Sequence, residues 1–109
     1  MNKILISKQF SKTPFGRYAS DGPNSAERFR KECLVPAFLN ATAPVEVDFD
    51  GISLAIGSSF LEEAFGGLVR KEGIDKDKLK KLLIVKSELP FYKQQISRFI
   101  DKAEPDRVT

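Results

Sequence analysis

Apolar Val45, Val47 and Phe49 alternate with Glu46, Asp48 and Asp50, so a period of two predicts a strand with three apolar side chains on one sheet face and three carboxylates on the other. Ile4 and Ile6, within Lys3 to Ser7, predict an opening strand running towards Phe10, and Leu82 to Lys86 reads as a buried strand. After the Asp50-Gly51 turn, Ile52, Leu54 and Ile56 resume the alternation. Helical spacing takes over elsewhere. Asn24 or Ser25 caps a first helix carrying Phe29, Cys33, Leu34 and Ala37, with Glu27 in the capping-box position, and Pro36 is expected to kink or stop it near Val35. Ser59 and Glu62 form a second capping box ahead of Leu61, Phe65, Leu68 and Val69. Gly66-Gly67 inside that helix implies a close backbone approach to the sheet or to a partner. Asp75 to Lys81 is a short charged helix. Pro90 opens a last one, whose stripe Leu89, Tyr92, Ile96, Phe99, Ile100 and Ala103 lies on a core.

Strands separated by helices imply an α/β sandwich with a mostly parallel or mixed sheet of about four strands. The 109 residues fit a single domain over 1–103, followed by a polar tail, 104–109, expected to fray. Residues 11–24 form a long loop punctuated by Pro14, Gly16, Gly22 and Pro23. Loops of that length are functional or disordered, and Phe15, Arg17 and Tyr18 favour function.

Charge narrows the reading. The net charge is +3, yet residues 40–69 hold five acidic and no basic side chains. Lys76, Lys78, Lys80 and Lys81 alternate with Asp75 and Asp77 as a solvated helix face, which argues against a nucleic-acid partner. The chain has no histidine, which excludes Ser-His-Asp and Cys-His nucleophile activation, and its single cysteine leaves too few soft ligands for a Cys/His zinc site. No enzyme activity, metal or cofactor is expected. The most apolar uncharged window, Gly51 to Leu61, is too short to span a bilayer, the amino terminus lacks a signal-peptide core, and a lone Cys33 suits a reducing compartment, so a cytoplasmic location is expected.

Val45 to Ile52 followed by Ile56-Gly57-Ser58-Ser59-Phe60-Leu61 resembles the central strand, loop and helix start of STAS domains, among them the bacterial anti-sigma-factor antagonists. Pro14-Phe15-Gly16-Arg17-Tyr18, Asp21-Gly22-Pro23, Phe29-Arg30, Asp48 to Gly51 and Ser58 to Leu68 more specifically resemble a STAS-like bacterial family of unknown function. The resemblance implies a STAS-like sandwich. It also implies a non-enzymatic regulatory protein-interaction module whose partner is a histidine-kinase-like ATPase or an anti-sigma factor. Ser58 falls at the position phosphorylated in the antagonists. Gly57 stands where they carry aspartate, and Phe60 where they carry glycine.

The candidate sites follow. Ser58 and Ser59 are the phospho-acceptor candidates, although Ser59 also reads simply as a helix cap. Phe15, Arg17, Tyr18, Asp21, Phe60, Leu61 and Glu62 are the partner-binding candidates. In the loop, an Arg17 to Asp21 contact with Phe15 and Tyr18 packed inward is the plainer alternative. A small-ligand or nucleotide-sensing pocket built on Arg17, Arg28 and Arg30 is the alternative function. Asp48, Asp50, Glu62 and Glu63 read as an exposed acidic face.

Overall fold

The computed structural model describes residues 2–106. The Val/acid alternation forms β2 (Val45–Asp48), the central strand of a three-stranded parallel sheet in which β1 (Asn2–Leu5) and β3 (Leu83–Lys86) are the edges. The described residues therefore hold three strands, where the pattern predicts about four. Ile6–Gln9 coils into a helical turn, α1, instead of prolonging β1, and residues 52–56 form no strand.

Register sorts the side chains. Asn2, Val45 and Leu83 are in register, as are Ile4, Val47 and Val85, and these two rows share one face. Lys3, Glu46 and Ile84, with Leu5, Asp48 and Lys86, make the other. Parallel neighbours taken in sequence order, joined by right-handed crossovers, place their connecting helices on one side. Burial agrees, since Val45 and Val47 are fully buried while Lys3, Ile84 and Lys86 are exposed. β3 is thus a half-exposed edge rather than a buried strand.

The open face is not a row of free carboxylates. Asp48 is buried beneath Lys3 and Lys86, whose Nζ atoms lie 3.3 and 3.5 Å from Oδ2, and the Asp50 amide donates to Oδ1 at 2.9 Å. Burial alone would raise the Asp48 pKa; that amide and the two lysines outweigh it, and the carboxyl titrates below its ordinary value.

Two of the three long helices among the described residues contain a π turn. In α2 (26–38), Ala26–Phe29 leads into Arg30–Leu34 and then Val35–Phe38. The helix runs through Pro36 instead of stopping near Val35, because the wider turn before it re-registers the carbonyls that the proline ring would meet. Ser25 is its cap, accepting from the Arg28 amide at 3.3 Å, while Glu27 leaves the expected capping box and accepts from the Ala19 amide at 2.8 Å. In α3 (58–70), Ser58–Leu61 leads into Glu62–Gly66 and Gly67–Arg70. Gly57 stands at its N-cap, and the Ser59 to Glu62 capping box does not form. Asp75 caps α4 (Lys76–Leu82) by accepting from the Lys78 amide at 3.0 Å, and α5 (Pro90–Lys102) completes the layer.

The core lies between this layer and the inner sheet face, with Phe29 touching Phe10, Phe60 and Phe65 at centroid distances of 5.1, 5.9 and 6.4 Å. Of the α5 stripe, Tyr92, Ile96, Ile100 and Ala103 are buried, but Leu89 is 57% exposed, since it is the N-cap residue, whose extended backbone does not continue the helix despite its spacing. At the tail, Lys71 lies 2.8 Å from Asp106, whose amide donates to the Arg70 carbonyl at 2.9 Å. Residues 104–106 are therefore fastened instead of frayed, and 107–109 lie outside the described residues. No helix among the described residues is long and apolar enough to cross a membrane.

Candidate functional site

The segments that follow the three strands meet at the carboxyl end of the sheet, where ligands of open α/β sheets usually bind. After β2 the chain turns at Gly51, which has φ +83° and whose added Cβ would stand 2.9 Å from Ser7 Oγ, directly after β1. Residues 52–57 then lead to the start of α3. Tyr92 fastens this loop: its ring stacks on Phe49 at 4.8 Å, and its hydroxyl accepts from the Ile56 amide at 3.0 Å. Two cavities flank Ala55. One, of about 220 Å³, is lined by Phe15, Gly16, Gly57 and Ser59; the other, of about 400 Å³, by Gly51, Leu54, Leu89 and Tyr92.

Ser58 and Ser59 are exposed on the first turn of α3. Phe15 is 69% exposed, and Tyr18 is exposed too, so neither packs inward. Asp21 pins this loop through backbone: one carboxylate oxygen accepts from the Arg17 and Tyr18 amides at 3.1 and 2.9 Å. The Arg17 guanidinium takes no part in that contact. It reaches α3 instead, lying 2.6 Å from Glu62 and 3.1 Å from Glu63.

This contact belongs to a network that local sequence pattern did not reveal. Arg30, whose side chain is 3% exposed, donates through one nitrogen to the Glu63 carboxylate at 2.8 Å and to the Glu63 carbonyl at 2.7 Å, and through another to Glu72 at 2.9 Å. The π turn frees that carbonyl from the regular helix ladder, and the arginine satisfies it. Arg70 holds Glu62 at 2.6 Å. Desolvation pushes the Glu62 pKa up, but hydrogen bonds from Arg70 and Arg17 bring it below its ordinary value. Gly66 and Gly67 are explained by the same network. A Cβ at 67 would lie 2.5 Å from Arg30 Nη1, and one at 66 would lie 2.8 Å from Glu62 Oε2. The close approach implied by the two glycines is made by buried ionic side chains, not by the sheet.

Several expectations change. Phe60 and Leu61 are core residues and present no surface, so the Phe60 ring does not obstruct access to Ser58. Glu63 is buried and Glu62 is paired, so neither belongs to an exposed acidic face. Arg17, Arg28 and Arg30 do not make an open anion pocket, because the first and third hold Glu62, Glu63 and Glu72 while Arg28 holds Glu32 at 2.7 Å and the Pro23 carbonyl at 2.6 Å. Among the described residues, no cluster of three or more His, Cys, Asp or Glu side chains is arranged to hold a metal. Burial pushes the half-buried Cys33 thiol up, with Glu32 adding to the effect. Leu89, which its helical spacing assigned to the core stripe, joins the surface together with the exposed Phe91.

Comparison with curated proteins returns no match, and neither does comparison with solved structures. A protein-family comparison matches residues 25–90, from the cap of α2 to the start of α5, and this chain belongs to the family described as the STAS-like domain of unknown function (DUF4325).

Proposed function

We propose that this chain is a non-enzymatic interaction module whose protein partner docks on Phe15, Tyr18, the Ser58-Ser59 helix start and Leu89, with phosphorylation of Ser58 as the regulatory event. The observation that carries the reading is that exposed Phe15 and Ser59 line one cavity and exposed Leu89 the adjoining one at the strand ends, with exposed Ser58 next to Ser59 on the first turn of α3. The STAS resemblance supplies the partner class, a histidine-kinase-like ATPase or an anti-sigma factor in the cytoplasm. A phosphate on Ser58 would gain the free amides and dipole of α3. It would add about two negative charges one helical turn before Glu62. Glu62 is already shared by Arg17 and Arg70, so the new charge would compete for the arginine that holds the Phe15 loop. The contact surface would change while the core stayed folded.

The test is capture from native host lysate, with bound proteins identified by mass spectrometry. Wild type is expected to retain a kinase-like ATPase or anti-sigma factor. Phe15→Ser and Ser58→Asp alter exposed positions; they are expected to keep the wild-type melting midpoint and to lose that partner. Absence of both partner classes from the wild-type capture, or wild-type retention by both variants, refutes the reading.

A further inference from the structure

We propose that the outer edge of β3 accepts an acidic, extended segment of a partner protein as a fourth strand. The Phe49 amide donates to the Lys86 carbonyl at 2.9 Å, so Lys86 turns its backbone towards β2. By alternation, Val85 turns its N–H and C=O away from the sheet, where no described strand takes them. A groove of about 230 Å³ runs between this edge and α5, lined by Ile84, Val85, Ile96 and Ile100, with Lys80 and Lys93 beside them. Ile84 is 40% exposed. The groove shares no residue with the cavities beside Ser58, so it is a separate surface.

Charge selects the occupant. Residues 76–102, which build α4, β3 and α5, carry eight basic side chains against three acidic. A second copy of the chain would bring like charges edge to edge, the device by which lysines guard sheet edges against self-pairing. An acidic strand is attracted instead. The inner side of β3 shows the pattern such a strand needs: β2 reads Val45-Glu46-Val47-Asp48, with its valines turned to the helices and Asp48 3.5 Å from Lys86. A fourth strand that lays apolar residues over the groove and carboxylates along the Lys86 face repeats that arrangement, within reach of Lys93 at the groove rim; Lys80 there already holds Asp101 at 2.7 Å. Main-chain hydrogen bonds supply its affinity and the alternate side chains its specificity.

The probe is a synthetic peptide, Pro-Val-Glu-Val-Asp-Phe-Asp-Gly, copying residues 44–51 and titrated into the isotope-labelled full chain by NMR. Shifts centred on the Val85 and Ser87 amides are expected, together with slower hydrogen exchange at Val85. Affinity should fall about threefold or more when salt rises from about 50 to about 300 mM. It should also fall several-fold in Lys93→Glu, an exposed position that leaves the fold intact. A peptide with lysine at its three acidic positions should not bind. No response at Val85 with millimolar peptide, equal binding of the lysine peptide, shifts confined to the Phe15 and Ser59 surface, or dimerisation through the edge overturns the proposal. The supporting readouts lie on β3 and α5, whereas the capture test reads Phe15, Ser58 and their partner, so this proposal and the proposed function fail separately.

Discussion

Replacing Gly67 by alanine tests the buried network directly, because two effects of opposite sign meet at one methyl group. Within an ordinary helix, alanine is favoured over glycine by about 1 kcal/mol. Here the new Cβ would lie 2.5 Å from Arg30 Nη1, 3.0 Å from Cδ and 3.1 Å from Cζ, so the whole outer half of a buried side chain must move. Arg30 would then lose the Glu63 carboxylate, the Glu63 carbonyl and Glu72 together. Breaking a buried ion pair costs about 3–5 kcal/mol, and Glu63 keeps part of that because Arg17 remains 3.1 Å away. After the helix-propensity gain, the expected net loss is about 2 kcal/mol. Urea unfolding followed by circular dichroism reads this as a lower midpoint at unchanged slope. In an Arg30→Met background the methyl meets no guanidinium, so the penalty should shrink, which a double-mutant cycle measures. A Gly67→Ala protein as stable as wild type, or an equal penalty in both backgrounds, would refute the account.

Other outcomes are expected. Leu61→Ala removes a fully buried side chain and should lower stability by about 2–5 kcal/mol in the same urea assay, showing that this position acts through the core. Glu62 and Asp48 titrate below their ordinary values of 4.5 and 3.8, so the stability they contribute is fully present above those values and is lost as pH falls through their folded pKa. Glu62→Gln should therefore melt below wild type at about pH 6, with the two midpoints converging only as pH falls below 4.5 and through the lowered pKa of Glu62. Cys33, half-buried with a raised pKa, should react with a disulfide reagent at neutral pH many times more slowly than a free thiol, and equal rates would contradict that environment.

Local periodicity was sufficient where one face of an element meets the core and the other meets water. It located β2, the buried part of the α5 stripe and the helix carrying Leu61, Phe65, Leu68 and Val69, because burial on one side imprints a period of 2 or 3.6 on the residues themselves. The extent of the sheet was not legible in the same way. Ile52, Leu54 and Ile56 alternate like a strand, yet only Ile56 is buried while Ile52 packs at the core's margin, and the Ile56 amide is taken by Tyr92 instead of a ladder neighbour. Tertiary structure likewise turned Asp48 from a surface carboxylate into a buried one, because Lys3 and Lys86 come to it from the two flanking strands.

The candidate site divides along the same line. The exposed serines and the Phe15 loop could be picked out from residue type and turn chemistry. The ionic network could not, since Arg17 and Glu62 are 45 residues apart and Arg30 and Glu63 are 33 apart. Its trace in the chain was Gly66-Gly67, a helix-weakening pair that makes sense only beside the arginine and glutamate side chains the fold brings there. Sequence alone determined the central strand, most of the helical segments and the faces these turn inward, because those depend on neighbours within a turn or two. The fold decided which charges are buried, which side chains share a cavity and which sheet edge stays open, because each depends on residues that meet only after the chain has closed on itself.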